Sequence, residues 1–428
     1  MLFGRVVSAF ADPRDSASDG AASHAASTRG RRLATVAIAA MLLVACTTVA
    51  PSPSAAPVDP GTSPAPPSPS EEPSATPEPT PASPTAQPTP TATPSGGVYA
   101  GTTRGELAPA VADLPHRVYV PNELSNDVAV IDPQTFTVVG RFQAGAAPEH
   151  ISPDWDLETL YVSNMNGATL TVIDPLTEQP TETMNVPFPY NLFFTPDGSK
   201  AIVVADYLGI DMVADNGLYF YDRETWELIK FVQVPWPGVN HLDFSPDGSY
   251  LLVSCESAGA VVKIDVNSMS IVGSVDLGGS PLDVRMAPAG DVFFVANQGT
   301  HGVDVVDAET LTHIDHIPTG QGAHAFAFSR DVTRLFVTNR HNGTISVIDV
   351  ASRQVVDTWT IGGSPDMATV SPDGSQLWIS NRFHGTVTVL NPASGEVLAV
   401  IETGGNPHGL TYWPQPGTIS LGHNGNMR

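Results

Sequence analysis

Short runs of alternating hydrophobic and polar residues, separated by turn sequences, make up the chain after residue 116. Residues 344–348 and 386–390 alternate with a period of two, which is typical of a half-buried β-strand. Pro-Asp-Gly turns begin at Pro196, Pro246 and Pro372 and separate one strand from the next. No segment after residue 116 has the 3.6-residue period of an amphipathic helix. The pattern therefore predicts an all-β domain.

The predicted strands belong to a long repeat. An apolar strand that ends in Asn is followed by a polar turn and by a strand that ends in Val-Ile-Asp or a variant of it. The second strand of successive copies ends at Asp132, Asp174, Asp222, Asp265, Asp307, Asp349 and Asn391. These positions are 42, 48, 43, 42, 42 and 42 residues apart. Four short strands in a unit of this length are typical of a propeller blade, so we predict a seven-bladed β-propeller with four antiparallel strands per blade.

The order of the strands predicts how the ring closes. If the strands are lettered A to D from the channel outward, the A strands begin near Pro148, Pro189, Val239, Pro281, Ala323, Pro365 and Pro407. The chain starts on a B strand and finishes on an A strand. We therefore expect the C-terminal strand at 407–413 to pair with the strands of residues 117–142 and to remove an exposed sheet edge.

The repeat units resemble the YVTN-type β-propeller repeat of bacterial and archaeal secreted and surface proteins. The closest pieces are LFVTN at 335–339, LWISN at 377–381 and SPDG at 371–374, and the similarity covers about residues 116–414. The resemblance implies the propeller fold and a location outside the cytoplasm. It implies no single function, since one fold carries many functions.

The N-terminal sequence resembles the signal peptide of a bacterial lipoprotein. Arg29, Arg31 and Arg32 precede a 13-residue apolar stretch at 33–45, which is shorter than the roughly 20 residues that span a bilayer. The stretch ends in Leu-Val-Ala before Cys46, as in a lipobox. The resemblance implies lipidation of Cys46 and export. The expected location is the outside of the bacterial cell membrane, or the periplasmic face or outer membrane.

Composition divides the chain into four segments. Residues 1–45 form the predicted signal peptide, and residues 46–103 form a Pro/Ser/Thr-rich stalk. We expect the stalk to be flexible and disordered because it cannot bury enough apolar surface to fold. The propeller is expected at 104–414 and is followed by a C-terminal tail at 415–428.

The net charge of the chain limits its expected partners. The net charge is −25, from 19 basic and 44 acidic residues, so nucleic acid is not an expected partner. The expected partner is the membrane, through the lipid anchor, and the expected state is a monomer.

The two cysteines are Cys46, in the leader, and Cys255, at the end of a predicted strand. Their settings predict a buried, free Cys255 rather than a disulfide.

Polar side chains collect at one end of the predicted channel, where the A strands begin and the B-to-C turns lie. The candidate ligand-binding residues of this channel mouth are Glu149, His150, Asn191, Asn240, His241, Asp283, His324, Asp366, His408, Arg340, Arg382 and His384. The one long repeat has its extra residues on the same face, at 206–216, and inserts in repeat proteins often lie on the binding face.

Histidines of the channel mouth are candidate ligands of a transition metal. The candidates are His150, His241, His324 and His408, with Glu149, Asp283 or Asp366. Imidazole and carboxylate groups suit copper, zinc or iron. The alternative is that a narrow channel mouth needs hydrated polar side chains and holds no metal. His150 and His241 come two residues after the start of their strands, and the other two histidines come one residue after. On regular strands the two pairs would point in different directions.

Two classes of function are compatible with the sequence. The first is an envelope-anchored binding module whose channel-mouth face takes a protein, a glycan or a small molecule. The second is an enzyme, either a lactonase-like hydrolase that uses Arg340, Arg382, His384 and Glu256 or a metal-binding redox protein. The sequence assigns no catalytic residue, since HExxH, GxSxG, CxxCH and Gly-rich phosphate loops are absent. The Asp that ends each C strand is predicted to be structural and to cap the following turn.

Overall fold

The computed structural model describes residues 97–103, 105–206 and 216–428. The predicted signal peptide, Cys46, most of the predicted stalk and most of the insert at 206–216 lie outside these residues. The described chain forms 28 β-strands and three single-turn 3₁₀ helices, at Glu256–Ala258, Arg382–His384 and His423–Gly425. Within the described chain, no helix has the length and apolar character needed to cross a membrane.

The strands follow one another at short intervals along the chain. The first fourteen are β1 (Arg117–Asn122), β2 (Asp127–Asp132), β3 (Thr137–Gln143), β4 (Pro148–Pro153), β5 (Leu160–Asn164), β6 (Thr169–Asp174), β7 (Gln179–Asn185), β8 (Pro189–Phe194), β9 (Lys200–Ala205), β10 (Gly217–Asp222), β11 (Leu228–Gln233), β12 (Val239–Phe244), β13 (Tyr250–Cys255) and β14 (Ala260–Asp265). The others are β15 (Ser270–Asp276), β16 (Pro281–Met286), β17 (Val292–Asn297), β18 (Gly302–Asp307), β19 (His313–Pro318), β20 (Ala323–Phe328), β21 (Arg334–Asn339), β22 (Thr344–Asp349), β23 (Gln354–Thr360), β24 (Pro365–Val370), β25 (Leu377–Asn381), β26 (Thr386–Leu390), β27 (Val397–Glu402) and β28 (Thr411–Trp413).

The strands form seven four-stranded antiparallel sheets, so the predicted all-β, seven-bladed propeller is confirmed. Six sheets are built from four consecutive strands, beginning with β4, β8, β12, β16, β20 and β24. The remaining sheet has the order β28-β1-β2-β3, with Arg117 opposite Trp413 and Tyr119 opposite Thr411. The C-terminal strand therefore closes the ring, as the strand order predicts.

Burial follows the position of each strand in its blade. The A strands β4, β8, β12, β16 and β24 are buried along their whole length, whereas the D strand β7 is almost wholly exposed. Apolar clusters fill the space between neighbouring blades and hold the ring together. The first residue of each complete A strand, from Pro148 to Pro365, is the one predicted from the repeat. Pro407 forms an isolated bridge with Asn122 just before β28.

The recurring Asp at the end of the C strands caps the next turn, as predicted. The Asp132 carboxylate accepts a hydrogen bond from the Gln134 backbone N–H at 2.8 Å. The Asp349 carboxylate accepts from the backbone N–H and the hydroxyl of Ser352, at 2.8 and 2.7 Å. These contacts are local to the turn, and they explain the repetition of Asp without a catalytic role.

Cys255 is buried and free, as the sequence predicts. Burial raises the pKa of its thiol to about 12, and the nearby Asp206 carboxylate adds to this effect. Because the thiolate is the reactive form, we expect no labelling of Cys255 by a thiol reagent in the native protein at neutral pH. Labelling should begin only with unfolding in urea. Rapid labelling without denaturant would contradict the buried position.

The folded domain begins before the predicted boundary at residue 104. Val98 and Tyr99 are buried, and the Val98 backbone N–H donates to the Pro288 carbonyl oxygen at 3.0 Å. The Tyr99 hydroxyl donates to the Met286 carbonyl oxygen at 2.9 Å. The last part of the predicted stalk therefore packs on the propeller, since Val98 and Tyr99 supply apolar surface that the Pro/Ser/Thr-rich sequence before them lacks.

Residues 415–428, which we expected to form a tail, fold against the channel end opposite the mouth. Gly422 bridges Phe193 in β8, and the Ser420 hydroxyl donates to the Pro153 carbonyl oxygen at the end of β4. Arg428 forms an ion pair with the buried Asp243 of β12 at 3.0 Å. Leu421 is buried in the core. These contacts correct the expected boundary at 414 and place His423–Gly425 inside the channel.

Candidate metal centre

β-Bulges shape the start of the A strands. In β4, β12, β20 and β24 the pairing with the B strand shifts between the first and fourth residues. A bulge breaks the regular alternation of side chains. The second and third residues of these strands therefore both reach the channel. The difference in register therefore does not point the histidines of these strands away from the channel, but it places His150 and His241 in one group and His324 in another.

Three imidazoles meet in the middle of the channel. His150 and His241 come from β4 and β12, and His423 comes from the C-terminal segment. One ring nitrogen of each lies within 4.8 Å of one from each of the others. The ring centroids are 5.1 Å apart for His150 and His241, 4.9 Å for His150 and His423, and 4.6 Å for His241 and His423. We call these residues the histidine triad.

The triad contains buried nitrogen atoms that no other described residue satisfies. The Nδ1 atom of His150 lies 3.3 Å from the Asn424 amide oxygen, and the Asn191 amide lies 2.7 Å from Nδ1 of His423. The Nε2 atoms of all three histidines have no hydrogen-bond partner, and His241 has none at Nδ1 either. Buried polar groups are normally satisfied. The unsatisfied nitrogens therefore make the triad a candidate ligand site.

Burial keeps the triad neutral. It lowers the pKa of His150 to about 3, and it lowers the pKa values of His241 and His423 well below the ordinary value for histidine. A neutral imidazole has a free electron pair on one nitrogen, which is the form that binds a metal ion. The Asp283 carboxylate lies beside the triad, 3.9 Å from Nε2 of His423, and its Oδ1 atom is also unpartnered.

A second group, nearer the channel mouth, contains His324, Asp366 and His408. Asp366 lies 3.4 Å from Nδ1 of His324 and 3.5 Å from Nε2 of His408. The Arg340 guanidinium donates to the Asp366 carboxylate, at 2.7 Å from Nε, and contacts Nε2 of His324. Arg340 thus contacts two members of this group, which distinguishes it from the histidine triad, although Oδ2 of Asp366 and Nε2 of His408 still lack a hydrogen-bond partner among the described residues.

Arg382 and two acids close the channel mouth above these groups. Arg382 lies 2.6 Å from the Glu123 carboxylate and 3.7 Å from that of Glu149. Glu149 also contacts Nδ1 of His408. Burial raises the pKa of Glu149 to about 8, and the nearby Arg382 guanidinium opposes this rise. The described side chains at the mouth are therefore paired with one another.

Replacing Arg382 with methionine is expected to lower the free energy of unfolding by about 3 kcal/mol, since it leaves the buried Glu149 and the half-buried Glu123 without their cation. The Arg382 side chain is 18% exposed and that of Glu149 is 3% exposed. The matched control is Arg353→Met, because Arg353 pairs with Asp291 at the surface. We expect the control to cost under about 0.5 kcal/mol. Urea unfolding measures both, and equal costs would contradict the buried network.

Most of the predicted channel-mouth residues do meet in the channel. Asn240 lies there too and donates to the Glu256 carboxylate at 3.3 Å. His384 is the exception, since it is exposed on a 3₁₀ turn and contacts the Ser364 hydroxyl at 3.0 Å. Of the four predicted histidine ligands, His150 and His241 belong to the triad, whereas His324 and His408 belong to the group bound by Arg340. The functional role of each residue stays a prediction.

Three residues of the centre were missed at the sequence level: Glu123, His423 and Asn424. Glu123 lies in a B-to-C turn, and no repeated pattern marks it. His423 and Asn424 lie in the segment expected to be a tail. The signal in the sequence was a polar Asn-Gly turn that follows the apolar Ile419 and Leu421. Such a pattern suits a short folded segment better than a disordered one.

Seven four-stranded blades around a central channel make this protein a β-propeller. It belongs to the YNCE-like beta-propeller family, whose model matches residues 91–415. A search of curated proteins gives no significant match.

Three solved structures show the same architecture. Hydrazine synthase of Kuenenia stuttgartiensis is 19% identical, with a TM-score of 0.58 over 67% of this chain and 98% of that chain. A functionally unknown protein from Desulfotomaculum acetoxidans is 17% identical, with a TM-score of 0.59 over 68% and 99%. The dihydro-heme d1 dehydrogenase NirN, in complex with DHE, is 16% identical, with a TM-score of 0.54 over 70% and 76%. Similarity at these identities concerns the fold alone.

Proposed function

We propose that this protein is an exported binding protein that holds a transition-metal ion in its channel, on His150, His241 and His423. One observation carries the proposal. Three fully buried imidazoles converge to within 4.8 Å, and the Nε2 atom of each has no partner among the described residues. Leaving such groups unsatisfied costs free energy, and a metal ion satisfies all three at once.

The donor atoms select the class of metal. Three neutral imidazole nitrogens suit zinc or copper, whereas calcium and magnesium prefer oxygen ligands. Asp283 is the nearest carboxylate to the triad and is the candidate for a fourth ligand. Asn424 and Asn191 hold the rings of His150 and His423 through the nitrogens that face away from the centre. Such contacts commonly orient metal-binding histidines.

The group of His324, Asp366 and His408 is the less suitable metal site. Arg340 already donates to Asp366 and contacts His324 there. A metal ion would have to displace a guanidinium and would then lie beside its positive charge. We therefore assign the metal to the triad and assign the second group to the closure of the channel mouth.

The closed channel favours retention of a ligand over catalytic turnover. Arg340 and Arg382 fill one end, and residues 415–428 fill the other. We expect a bound metal to exchange slowly with a chelator. The same closure weighs against the lactonase-like alternative, because its basic groups are ion-paired with acids inside the mouth.

Titration of the metal-free protein with Co²⁺ and Zn²⁺ tests the proposal. We expect one ion per chain and, for Co²⁺, a visible spectrum typical of nitrogen ligands. His423→Ala should abolish binding. His384→Ala is the matched control, since this histidine is exposed and outside the triad, and it should bind as the wild type does. Absence of stoichiometric binding in the wild type would refute the proposal and favour a hydrated channel.

The second part of the proposal concerns the location of the protein. The apolar stretch at 33–45 and the lipobox that ends at Cys46 support export and lipid anchoring. We expect the wild type to incorporate labelled palmitate and to sediment with membranes. Cys46→Ala should lose the label and leave the membrane fraction. If the unlabelled Cys46→Ala protein stayed bound to membranes, that result would contradict lipid anchoring. It would not bear on the metal site, which the titration tests separately.

A further inference from the structure

A second polar pocket lies at the channel end opposite the mouth. It has a volume of about 90 Å³ and is formed by the ends of β20 and β24, the N-terminal segment at Tyr99 and the C-terminal segment. One buried water needs about 10–15 Å³ of such volume. The pocket therefore has room for a small polyatomic ligand. Its lining includes Arg285, Arg330, Asn424 and Asn426.

Arg330 brings a positive charge to the pocket and forms no ion pair with a described carboxylate, although Asp373 interacts with it at longer range. Its guanidinium donates to the carbonyl oxygens of Val370 and Ser371 and to the Gln415 side-chain oxygen, at 3.0, 2.9 and 2.9 Å. None of the ion pairs in the described chain includes Arg330, and its buried Nε atom has no hydrogen-bond partner there. Arg285 is only loosely paired, at 3.7 Å from Asp283.

Two asparagine amides add further unsatisfied donors. Asn424 and Asn426 are 5% and 7% exposed, and in both the Nδ2 atom lacks a partner within the described residues. The orientation of Asn424 is set by the histidine triad, because its oxygen faces Nδ1 of His150. The amide nitrogen of Asn424 is therefore available to donate a hydrogen bond to another acceptor. The lining of the pocket thus includes two arginines and two asparagines.

We propose that this pocket binds a small oxyanion, such as phosphate, sulfate or a carboxylate. Buried donors without acceptors are costly, and oxyanions are acceptors only, so they complement this lining. Arginine suits such ligands because its planar fork matches their oxygens. The two arginines make an anion a better ligand for this pocket than a metal cation. The site is distinct from the histidine triad, and Asn424 is the residue that touches both.

Isothermal titration calorimetry of the full chain, carrying Cys46→Ser to prevent lipidation, tests the proposal with phosphate, sulfate and acetate in separate titrations. We expect saturable one-to-one binding of at least one of them. Asn426→Asp puts a negative charge in place of an unsatisfied donor and should raise Kd at least about tenfold. Arg330→Gln should have a similar effect. Arg353→Gln, at a half-buried arginine outside the pocket, should leave Kd unchanged.

The variants also separate this site from the metal centre. His241→Leu should keep oxyanion binding, since His241 does not line the pocket. Arg330 contributes to folding through its three hydrogen bonds, so Asn426→Asp decides the outcome if Arg330→Gln fails to fold. Lack of saturable binding by all three anions would overturn the proposal. Binding that Asn426→Asp leaves unchanged would also overturn it.

Discussion

The effect of His241→Leu on the free energy of unfolding is expected to depend on whether metal is present. Without metal, the variant should be at least as stable as the wild type. His241 is fully buried, and neither of its ring nitrogens has a partner among the described residues. Each unsatisfied buried polar group costs about 1–3 kcal/mol. Leucine removes both nitrogens and keeps a similar volume.

With Zn²⁺ present, the wild type should be more stable than His241→Leu. At a free Zn²⁺ concentration about 1,000 times Kd, a protein that binds only in its native state gains about 4 kcal/mol. The wild type should show this gain, whereas His241→Leu should show almost none. Urea unfolding with and without Zn²⁺ measures both effects.

A surface histidine provides the control for this comparison. His313 in β19 is partly exposed and lies 3.2 Å from Asp304. His313→Leu should keep the full stabilisation by Zn²⁺. If metal-free His241→Leu lost several kcal/mol, or if Zn²⁺ stabilised it as much as the wild type, the triad would be structural rather than metal-binding.

Two truncations should separate ring closure from metal binding. Removal of residues 407–428 deletes β28 and leaves β1 as an open edge. It also removes Leu410, Tyr412 and Trp413, which are buried. Each buried apolar side chain contributes about 2 kcal/mol, and whole domains are stable by only about 5–15 kcal/mol. We therefore expect the shortened chain to lose its cooperative thermal transition.

Removal of residues 415–428 alone should have a different result. β28 stays and the ring remains closed, but Leu421, His423 and Asn424 are lost. We expect a folded protein of lower Tm that no longer binds Zn²⁺. The full-length variant His423→Ala should also lose Zn²⁺ binding, with a smaller decrease in Tm. Unchanged melting after removal of 407–428 would refute closure by the C-terminal strand.

The sequence predicted the parts of the fold that depend on local pattern. Each blade repeats the same strand alternation and turn chemistry, so the interval of 42 residues reports the blade and its count directly. The starts of β4, β8, β12, β16, β20 and β24 follow from this repeat. The closure by β28 follows from the order of strands, because an incomplete first blade requires a partner.

The proposed metal centre depends on contacts that no local pattern contains. His423 lies outside the repeat and joins His150 and His241 only because residues 415–428 fold back into the channel. β-Bulges let both His150 in β4 and His324 in β20 reach the channel, where they belong to two separate groups. The assignment of His324 and His408 to a separate group depends on Arg340, whose position in the channel follows from tertiary packing. These features involve residues far apart in the chain, so the repeat could not reveal them.

A crystal structure of the Zn²⁺-loaded protein, with anomalous difference maps at the zinc edge, tests the proposed metal centre most directly. We predict one anomalous peak among His150, His241 and His423, about 2.0–2.1 Å from a ring nitrogen of each. A peak at His324, Asp366 and His408 instead, or a triad that holds only water at saturating Zn²⁺, would contradict the proposed centre.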